Sequence, residues 1–291
     1  MIAPNAVTHD LGTMRLPDGR EMTTLCPENT TIAYDEIFVG RIYELFGIVL
    51  ADGDTIFDVG ANVGLCAMWC DERIARGTVH CFEPLPATFA ALTLNVRRHC
   101  RLDVRLHEAG ASDRAGEAEF TFYPRTSTSS SMYPDDSAAA RAESNRFILA
   151  DLRRRFGPLF RLLPARLADR WAESIRRRYQ VAEQVRCRLV RLSDVIDREG
   201  ITQIDLLKVD VEGAEFDCLA GIEDRHWPLV RQAVVEVHEG DESRDRMERL
   251  LADRGFVTNR FQQAPDVFAR HWLIYARRPG PVASSSPECS S

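Results

Sequence analysis

The chain has 291 residues, is 45% hydrophobic and carries a formal net charge of −7, so it is long enough for one large domain or two small ones. The negative charge argues against a nucleic-acid binder driven by bulk charge, and no apolar run of about 18 residues predicts a membrane span. Its eight cysteines form no C-x-x-C pair, and the N-terminus lacks the features of a secretion signal. We therefore expect a reduced, cytoplasmic protein without a zinc site.

The first predicted elements lie before residue 51. Segment 11–25 has Asp18-Gly19 at its centre and predicts a β-hairpin. Segment 28–48 predicts a helix because its apolar residues recur near one face.

From residue 54 onward, short apolar runs alternate with helical segments. The runs are TIFDV (55–59), VHCFEP (79–84), VRLHEAG (104–110), AEFTFYP (118–124), IDLLKVDV (204–211), QAVVEVHE (232–239) and HWLIYARR (271–278). This alternation predicts a doubly wound, Rossmann-like α/β fold with a parallel sheet, which binds ligands at the carboxyl ends of its strands. We expect AEFTFYP to add an extra strand and HWLIYARR to close the sheet.

An arginine-rich segment interrupts this pattern. Residues 141–188 contain thirteen arginines and five acids, a local charge of +8, which leaves −15 for the rest of the chain. One interpretation is a solvated helical face. The other is a lid or docking surface for an anionic partner, and apolar residues between the arginines favour an amphipathic structure. Both interpretations stay open.

The turn after the first run, with Gly60, Asn62 and Gly64, raises the question of which nucleotide it binds. A dinucleotide fingerprint has a glycine where Asn62 stands, so the turn is not built for a pyrophosphate. Glu83 follows Gly60 by 23 residues, about the spacing at which an acid reaches ribose hydroxyls. A nucleoside with a cationic centre and no pyrophosphate fits S-adenosylmethionine. A nicotinamide oxidoreductase on the same fold is the alternative.

Three blocks carry a family resemblance: DTIFDVGANVGLCAMW, VHCFEPLPATFAALTLN and IDLLKVDVEGAEFDCLAGI. They resemble the signature blocks of FkbM-type methyltransferases. The front end LPDGREMTTLCPENTTIAYDEIF, together with EFTFYP and VVEVHE, looks most like members associated with polyketide and nonribosomal peptide synthases. The resemblance implies S-adenosylmethionine-dependent O-methylation of a natural-product intermediate, with a sugar hydroxyl or a carboxylate as alternative acceptors. It implies a class I methyltransferase domain at 51–280. The sequence pattern places a helical insertion at about 135–186 within that domain, and this insertion matches no constant part of the family. A hairpin and helix (1–50) would pack on this core, and low-complexity residues 281–291 would form a disordered tail.

The resemblance also implies a set of cofactor-binding residues. The methionine-side motif is Asp58, Gly60, Asn62 and Gly64, the ribose-binding acid is Glu83, and the adenine contacts are Ala111 and Ser112. Asp210 is expected at the methionine amino group.

Ionisable residues on two neighbouring predicted strands form the candidate catalytic cluster. Lys208, Asp210 and Glu212 alternate along one strand, and Glu236 with His238 along the next. In the usual methyltransferase strand order these two strands are neighbours, so all five residues are expected to converge at the carboxyl edge. Methyl transfer to a hydroxyl needs positioning and removal of a proton, and we expect His238 to act as the base. Glu236 or Glu212 would orient or replace it, and Lys208 would pair with the acids.

A buried ion pair is the structural alternative for these residues. Asp210, Glu236 and His238 would also suit magnesium or manganese, but the spacing does not require an ion and no metal site is assigned.

The expected partner is a small-molecule acceptor, free or bound to an acyl or peptidyl carrier protein. Carrier proteins are acidic, so the arginine-rich insertion could dock one. A non-catalytic module that binds the cofactor and a partner protein is a third interpretation.

Overall fold

A computed structural model of the chain describes residues 11–126, 129–135, 137–157, 160, 163–179, 181–262 and 270–279. The predicted disordered tail (281–291) lies outside the described residues. The strands are β1 (Gly12–Arg15), β2 (Glu21–Thr24), β3 (Asp54–Val59), β4 (Gly77–Phe82), β5 (Asp103–His107), β6 (Gly110–Ala111), β7 (Gly116–Phe122), β8 (Glu183–Val190), β9 (Leu206–Val209), β10 (Gln232–Val237), β11 (Val257–Phe261) and β12 (Trp272–Arg277). The α-helices are α1 (Pro27–Tyr34), α2 (Leu65–Arg73), α3 (Pro86–His99), α4 (Ala138–Phe156), α5 (Ala165–Tyr179), α6 (Leu192–Glu199), α7 (Glu215–Ala220) and α8 (Asp241–Asp253).

A seven-stranded sheet organises the molecule in the order β11-β12-β10-β9-β3-β4-β5. Within it, β12 runs antiparallel to both of its neighbours and the remaining described pairs are parallel. The predicted doubly wound, Rossmann-like α/β fold is confirmed. Strand order reverses between β3 and β9, so the crevice at their carboxyl ends is the expected ligand site.

The sheet is buried on both faces because its central strands are apolar on both sides. Ile56 and Leu206 pack with α2 and α3 on one face. Phe57 and Leu207 pack with α6, α7 and α8 on the other. All four are fully buried, so the ends of β3 and β9 are held firmly in register.

The position predicted for HWLIYARR was wrong. It forms β12, which lies between β10 and β11 rather than at the edge. Ile274 and Tyr275 are buried on opposite faces, as an interior strand requires, whereas Val257 on β11 is 59% exposed.

The extra strand was also misplaced. AEFTFYP supplies most of β7, which belongs to a separate sheet of order β6-β8-β7. Its antiparallel partner β8 begins at Glu183, so the arginines of β8 lie in a strand rather than in the helical block. Arg186, for example, pairs with Glu117 across the two strands at 2.6 Å. About sixty residues separate β7 from β8 in the chain, so a local sequence pattern does not reveal that they pair.

The N-terminal segment forms the predicted hairpin (β1 and β2) but not one continuous helix. α1 ends at Tyr34, a π-helical turn follows at Asp35–Val39, and Arg41 has a left-handed φ of 52°. The chain reverses here because Ile42 and Tyr43 are buried in the core, where the Tyr275 hydroxyl donates to the Ile42 carbonyl at 2.8 Å.

None of the described helices combines the length and the hydropathy that crossing a bilayer requires.

Candidate active site

Two cavities meet at the carboxyl ends of β3 and β9. The large cavity has a volume of about 1000 Å³, and the narrow cleft beside it has about 90 Å³, less than a whole nucleoside needs. Four residues line both and form their boundary: Gly60, Asn62, Asp210 and Glu212. The other predicted residues divide between them, with Lys208, Glu236 and His238 on the large cavity and Glu83 and Ala111 on the narrow cleft.

Gly60 brings the first turn into contact with the end of β9. Its φ is +81°, and a Cβ there would overlap the Asp210 carbonyl oxygen and lie 2.8 Å from the carbonyl carbon. The amides of Gly60 and Ala61 both donate to the Phe82 carbonyl, which ties the turn to β4. Only a residue without a side chain permits this approach.

Gly64 lies where two helices pack closely. It precedes α2, and a Cβ there would come within 2.9 Å of Leu92 Cδ1 on α3. Gly64 is absent from the residues that line the two cavities. The geometry gives it a packing role, and its contact with the cofactor stays a prediction.

Asp58 and Lys208 form a buried ion pair behind the turn. Lys208 Nζ lies 3.2 Å from Asp58 Oδ1 and 3.6 Å from Asp210 Oδ2, and it donates to the Gly60 carbonyl at 2.6 Å. Burial raises the pKa of Asp58 even though Lys208 opposes that shift. Asp58 lines neither cavity and its carboxylate contacts Lys208, so a direct contact of Asp58 with the cofactor stays a prediction. The predicted pairing of Lys208 with the acids is present.

The narrow cleft offers acceptors suited to a ribose. Glu83 Oε2 accepts from the Asn62 amide at 3.1 Å, and Oε1 accepts from the Leu85 amide at 3.0 Å. Each oxygen keeps a lone pair for a hydroxyl. Burial raises the pKa of Glu83 to about 7, against the effect of those amide donors. Asn62 Oδ1 is buried and has no hydrogen-bond partner in the described part of the chain.

The predicted adenine contacts separate. Ala111 lines the narrow cleft. Ser112 lines neither cavity, and its hydroxyl donates to Asp113 Oδ1 at 3.2 Å. Both adenine contacts stay predictions, of which the cavity lining favours Ala111.

The predicted cluster does converge, and His238 is at its centre. His238 Nε2 lies 3.6 Å from Glu212 Oε2, 3.7 Å from Glu236 Oε1 and 3.8 Å from Asp210 Oδ1. Glu212 does not reach His238 through strand alternation alone, because β9 ends at Val209 and Glu212 has a left-handed φ of 54°. This turn aims the Glu212 carboxylate toward His238.

The environment of His238 argues against its predicted role as a base. Its Nδ1 forms a 2.9 Å hydrogen bond with Glu215 Oε1. Burial alone would lower the pKa of His238, but Glu212, Glu215 and Glu236 raise it well above its ordinary value. The surrounding acids thus favour the protonated ring, which makes His238 a weaker proton acceptor than an unperturbed histidine.

Three further residues of the site were missed. Glu215, 1% exposed, lies at the start of α7, just beyond the strand pattern. His271 precedes β12, and the pairing of Val237 with Trp272 brings it beside His238, with ring centroids 4.7 Å apart. Glu143 comes from α4, with Oε2 at 3.7 Å from His271 Nε2. Only the position of Glu215 next to the KVDVEG block offered a sequence signal.

The insertion helices form a wall of the large cavity. Its lining includes Phe147, Ile148 and Leu152 of α4 and Trp171 and Ile175 of α5. Arg154 and Arg178 also line it. α4 is tied to the strand region by Glu143 Oε1, which accepts from the Arg270 amide at 3.2 Å. The cavity wall thus combines apolar and cationic side chains.

The strand order, with one antiparallel strand next to the edge, and the crevice at the switch point define a class I methyltransferase. Residues 58–258 match the family described as the methyltransferase FkbM domain. The chain therefore belongs to the FkbM methyltransferase family. The nicotinamide alternative is set aside by this membership.

Two curated relatives and one solved structure are similar to the chain. The 31-O-demethyl-FK506 methyltransferase FkbM of Streptomyces tacrolimicus is 39% identical, over 84% of this chain and 88% of that protein. The AMB antimetabolite synthetase AmbE of Pseudomonas aeruginosa is 35% identical, over 91% of this chain and 12% of that protein. The crystal structure of methyltransferase FkbM from Methylobacillus flagellatus KT has a TM-score of 0.45 and 14% identity, covering 80% of this chain and 47% of that one.

S-adenosylmethionine is the methyl donor of this family. The residues present fit it. Glu83 offers two carboxylate oxygens for a diol, and the unsatisfied Asn62 Oδ1 offers an acceptor where the two cavities meet. Asp210, which lines both cavities, offers a carboxylate for an ammonium group.

Proposed function

We propose that the protein is an O-methyltransferase acting on a hydroxyl group of a polyketide- or peptide-type intermediate. One observation carries the proposal: the narrow cleft and the large cavity share a wall of Gly60, Asn62, Asp210 and Glu212. A nucleoside held through Glu83 and an acceptor in the large cavity would meet at this wall. The relative from Streptomyces tacrolimicus, named for O-methylation of FK506, supports the choice of oxygen and of a large acceptor.

The large cavity favours an acceptor with a broad apolar surface. Its volume of about 1000 Å³ lies at the upper end of small-molecule sites, and α4 and α5 contribute apolar side chains to its wall. A bulky scaffold that presents one hydroxyl toward Asp210 and Glu212 fits this arrangement. A small polar sugar would leave much of the apolar wall uncovered.

The bound cofactor supplies an electrophilic methyl group on a sulfonium. In the proposed reaction the acceptor oxygen would form a bond to the methyl as the S–CH3 bond breaks, S-adenosylhomocysteine would leave as a neutral thioether, and the hydroxyl proton would pass to a carboxylate. Glu212 is our candidate for that carboxylate, because it lies on the shared wall and burial raises its pKa to about 8, close to the working pH of a general base, while His238 already bonds Glu215 through Nδ1. Glu236 and His238 would orient the acceptor, and Asp210 would face the methionine end of the cofactor.

The test is transfer of labelled methyl from S-adenosylmethionine to a panel of hydroxylated polyketides and peptides, beside matched amines and thiols. We expect label on oxygen, and label on nitrogen or carbon alone would refute the proposal. Glu212→Gln and His238→Gln should reduce turnover by about 10²- to 10⁴-fold. Calorimetry should find cofactor binding by both variants near that of the unmodified protein. Full turnover by Glu212→Gln would place the base elsewhere.

A carrier protein that presents the acceptor is the proposed partner. Residues 141–188 carry a local charge of +8. Arg153, Arg177 and Arg178 are exposed, and Arg178 also lines the large cavity. A phosphodiester tether and an acidic carrier surface complement that charge. AmbE, of which this chain matches 12%, is named a synthetase, which is consistent with substrates held on an assembly line.

Reversal of these three arginines to glutamate tests the docking. Turnover of a carrier-bound acceptor should fall, with KM rising by about tenfold or more, while a free analogue should be methylated as before. Arg76→Glu is the control, since Arg76 is 82% exposed and lies outside the insertion. Equal losses for free and carrier-bound acceptors would exclude docking through this surface.

A further inference from the structure

We propose that Glu236, His238 and His271 bind a divalent transition-metal ion on the acceptor side of the active site. One ligand atom from each of the three lies within 4.8 Å of the other two. All three residues line the large cavity and none lines the narrow cleft. The ion would therefore face the acceptor and not the adenosyl group.

The spacing of these atoms suits a shared ion better than direct contact. Glu236 Oε1 is 3.7 Å from His238 Nε2 and 3.8 Å from His271 Nδ1. Both distances exceed a hydrogen bond. Two ligands that each lie about 2.1 Å from one metal ion are about 3–4 Å apart. The imidazole rings stand at 72° to each other, so their edges converge without stacking.

The surrounding charges also favour a cation here. Lys208 is already paired with Asp58 and Asp210. The carboxylates of Glu212, Glu215 and Glu236 all lie within 3.7 Å of the His238 ring nitrogens. Burial raises the pKa of Glu212 to about 8 and that of Glu236 well above its ordinary value, so a bound cation would stabilise carboxylate forms that burial disfavours.

Glu215 completes the arrangement as a positioning residue. It is 1% exposed, and its Oε1 accepts from the Gly213 amide at 2.8 Å while lying 2.9 Å from His238 Nδ1. A carboxylate on the far nitrogen of a metal-binding histidine fixes the ring and directs its other nitrogen to the ion. Nε2 is the nitrogen that faces Glu236.

The donor set indicates the metal. Two imidazoles with one carboxylate favour manganese, iron or zinc over magnesium, which prefers oxygen ligands. The role we assign to the ion rests on the proposed function: it would bind the acceptor oxygen and hold it toward the boundary with the narrow cleft. Metal binding itself is independent of that role.

The test is calorimetric titration of the full chain, stripped with EDTA, with MnCl₂, ZnCl₂ and MgCl₂. We expect one Mn²⁺ or Zn²⁺ per chain and weaker Mg²⁺ binding. His271→Gln and Glu236→Gln should each weaken Mn²⁺ binding by more than about tenfold. His99→Gln is the matched control, because His99 Nε2 contacts the Glu21 carbonyl in the hairpin and should leave the titration unchanged. S-adenosylmethionine binding by each variant reports whether it has folded.

Two results would overturn the inference. In one, the unmodified chain binds neither Mn²⁺ nor Zn²⁺; in the other, His271→Gln and Glu236→Gln bind the ion as tightly as the unmodified chain. Asp210, Glu212 and His238 form a second triad with the same spacing. If Glu212→Gln abolishes binding while His271→Gln does not, the proposed ligand set is wrong. Metal binding without methyl transfer to any acceptor would refute the proposed function and leave the metal site standing.

Discussion

Replacement of Gly60 by alanine should damage both the stability of the fold and cofactor binding. A left-handed φ costs a residue with a side chain about 1–2 kcal/mol. The added Cβ would also overlap the Asp210 carbonyl oxygen, where contacts under 3.0 Å are essentially never seen. Relief requires the turn and the end of β9 to separate, and such overpacking costs about 1–3 kcal/mol. Gly60→Ala should therefore lower the free energy of unfolding by about 2–5 kcal/mol.

Gly53→Ala provides the matched control for this prediction. Gly53 has a φ of +100° and precedes β3, but a Cβ there meets nothing within 4 Å. Its free energy of unfolding should fall only by the cost of the backbone conformation, about 1–2 kcal/mol. Urea unfolding measures the two stabilities, and calorimetry should find S-adenosylmethionine binding weakened by about tenfold or more in Gly60→Ala alone. Equal stabilities and equal affinities in the two variants would refute the reasoning.

Three further predictions concern buried polar groups. Lys208→Met should cost about 3–5 kcal/mol in urea unfolding because it leaves Asp58 buried and uncompensated, and Asp58→Asn in the same chain should recover part of that loss. Since Glu83 has a pKa of about 7 and binds hydroxyls as a carboxylate, cofactor affinity should rise by up to about tenfold from about pH 6 to about pH 8. Glu83→Gln should bind more weakly with no such pH dependence. Asn95→Leu should lower the free energy of unfolding by about 3 kcal/mol. The Asn95 side chain bonds both the main-chain amide and the carbonyl of Thr23, and these hydrogen bonds join the hairpin to the core.

The sequence by itself determined the parts of the site that are local in the chain. In a doubly wound fold each strand, turn and helix are consecutive, so the turn at Gly60 and the acid at Glu83 are readable from spacing. The ends of IDLLKVDV and QAVVEVHE were expected to meet because these two strands are neighbours in the usual methyltransferase strand order. The register of Val235 with Val209 bears this out.

Only the tertiary structure decided which residues surround His238 and what state it is in. His271 arrives through antiparallel pairing of β12 with β10, and Glu143 arrives from an insertion helix 95 residues before His238 in the chain. Neither contact has a local signal, because the free energy that forms it comes from packing between distant segments. The same packing surrounds His238 with carboxylates, and these raise the pKa of its imidazole against the effect of burial. Residue type alone suggested a base, whereas the three-dimensional environment provides an imidazole held between acids.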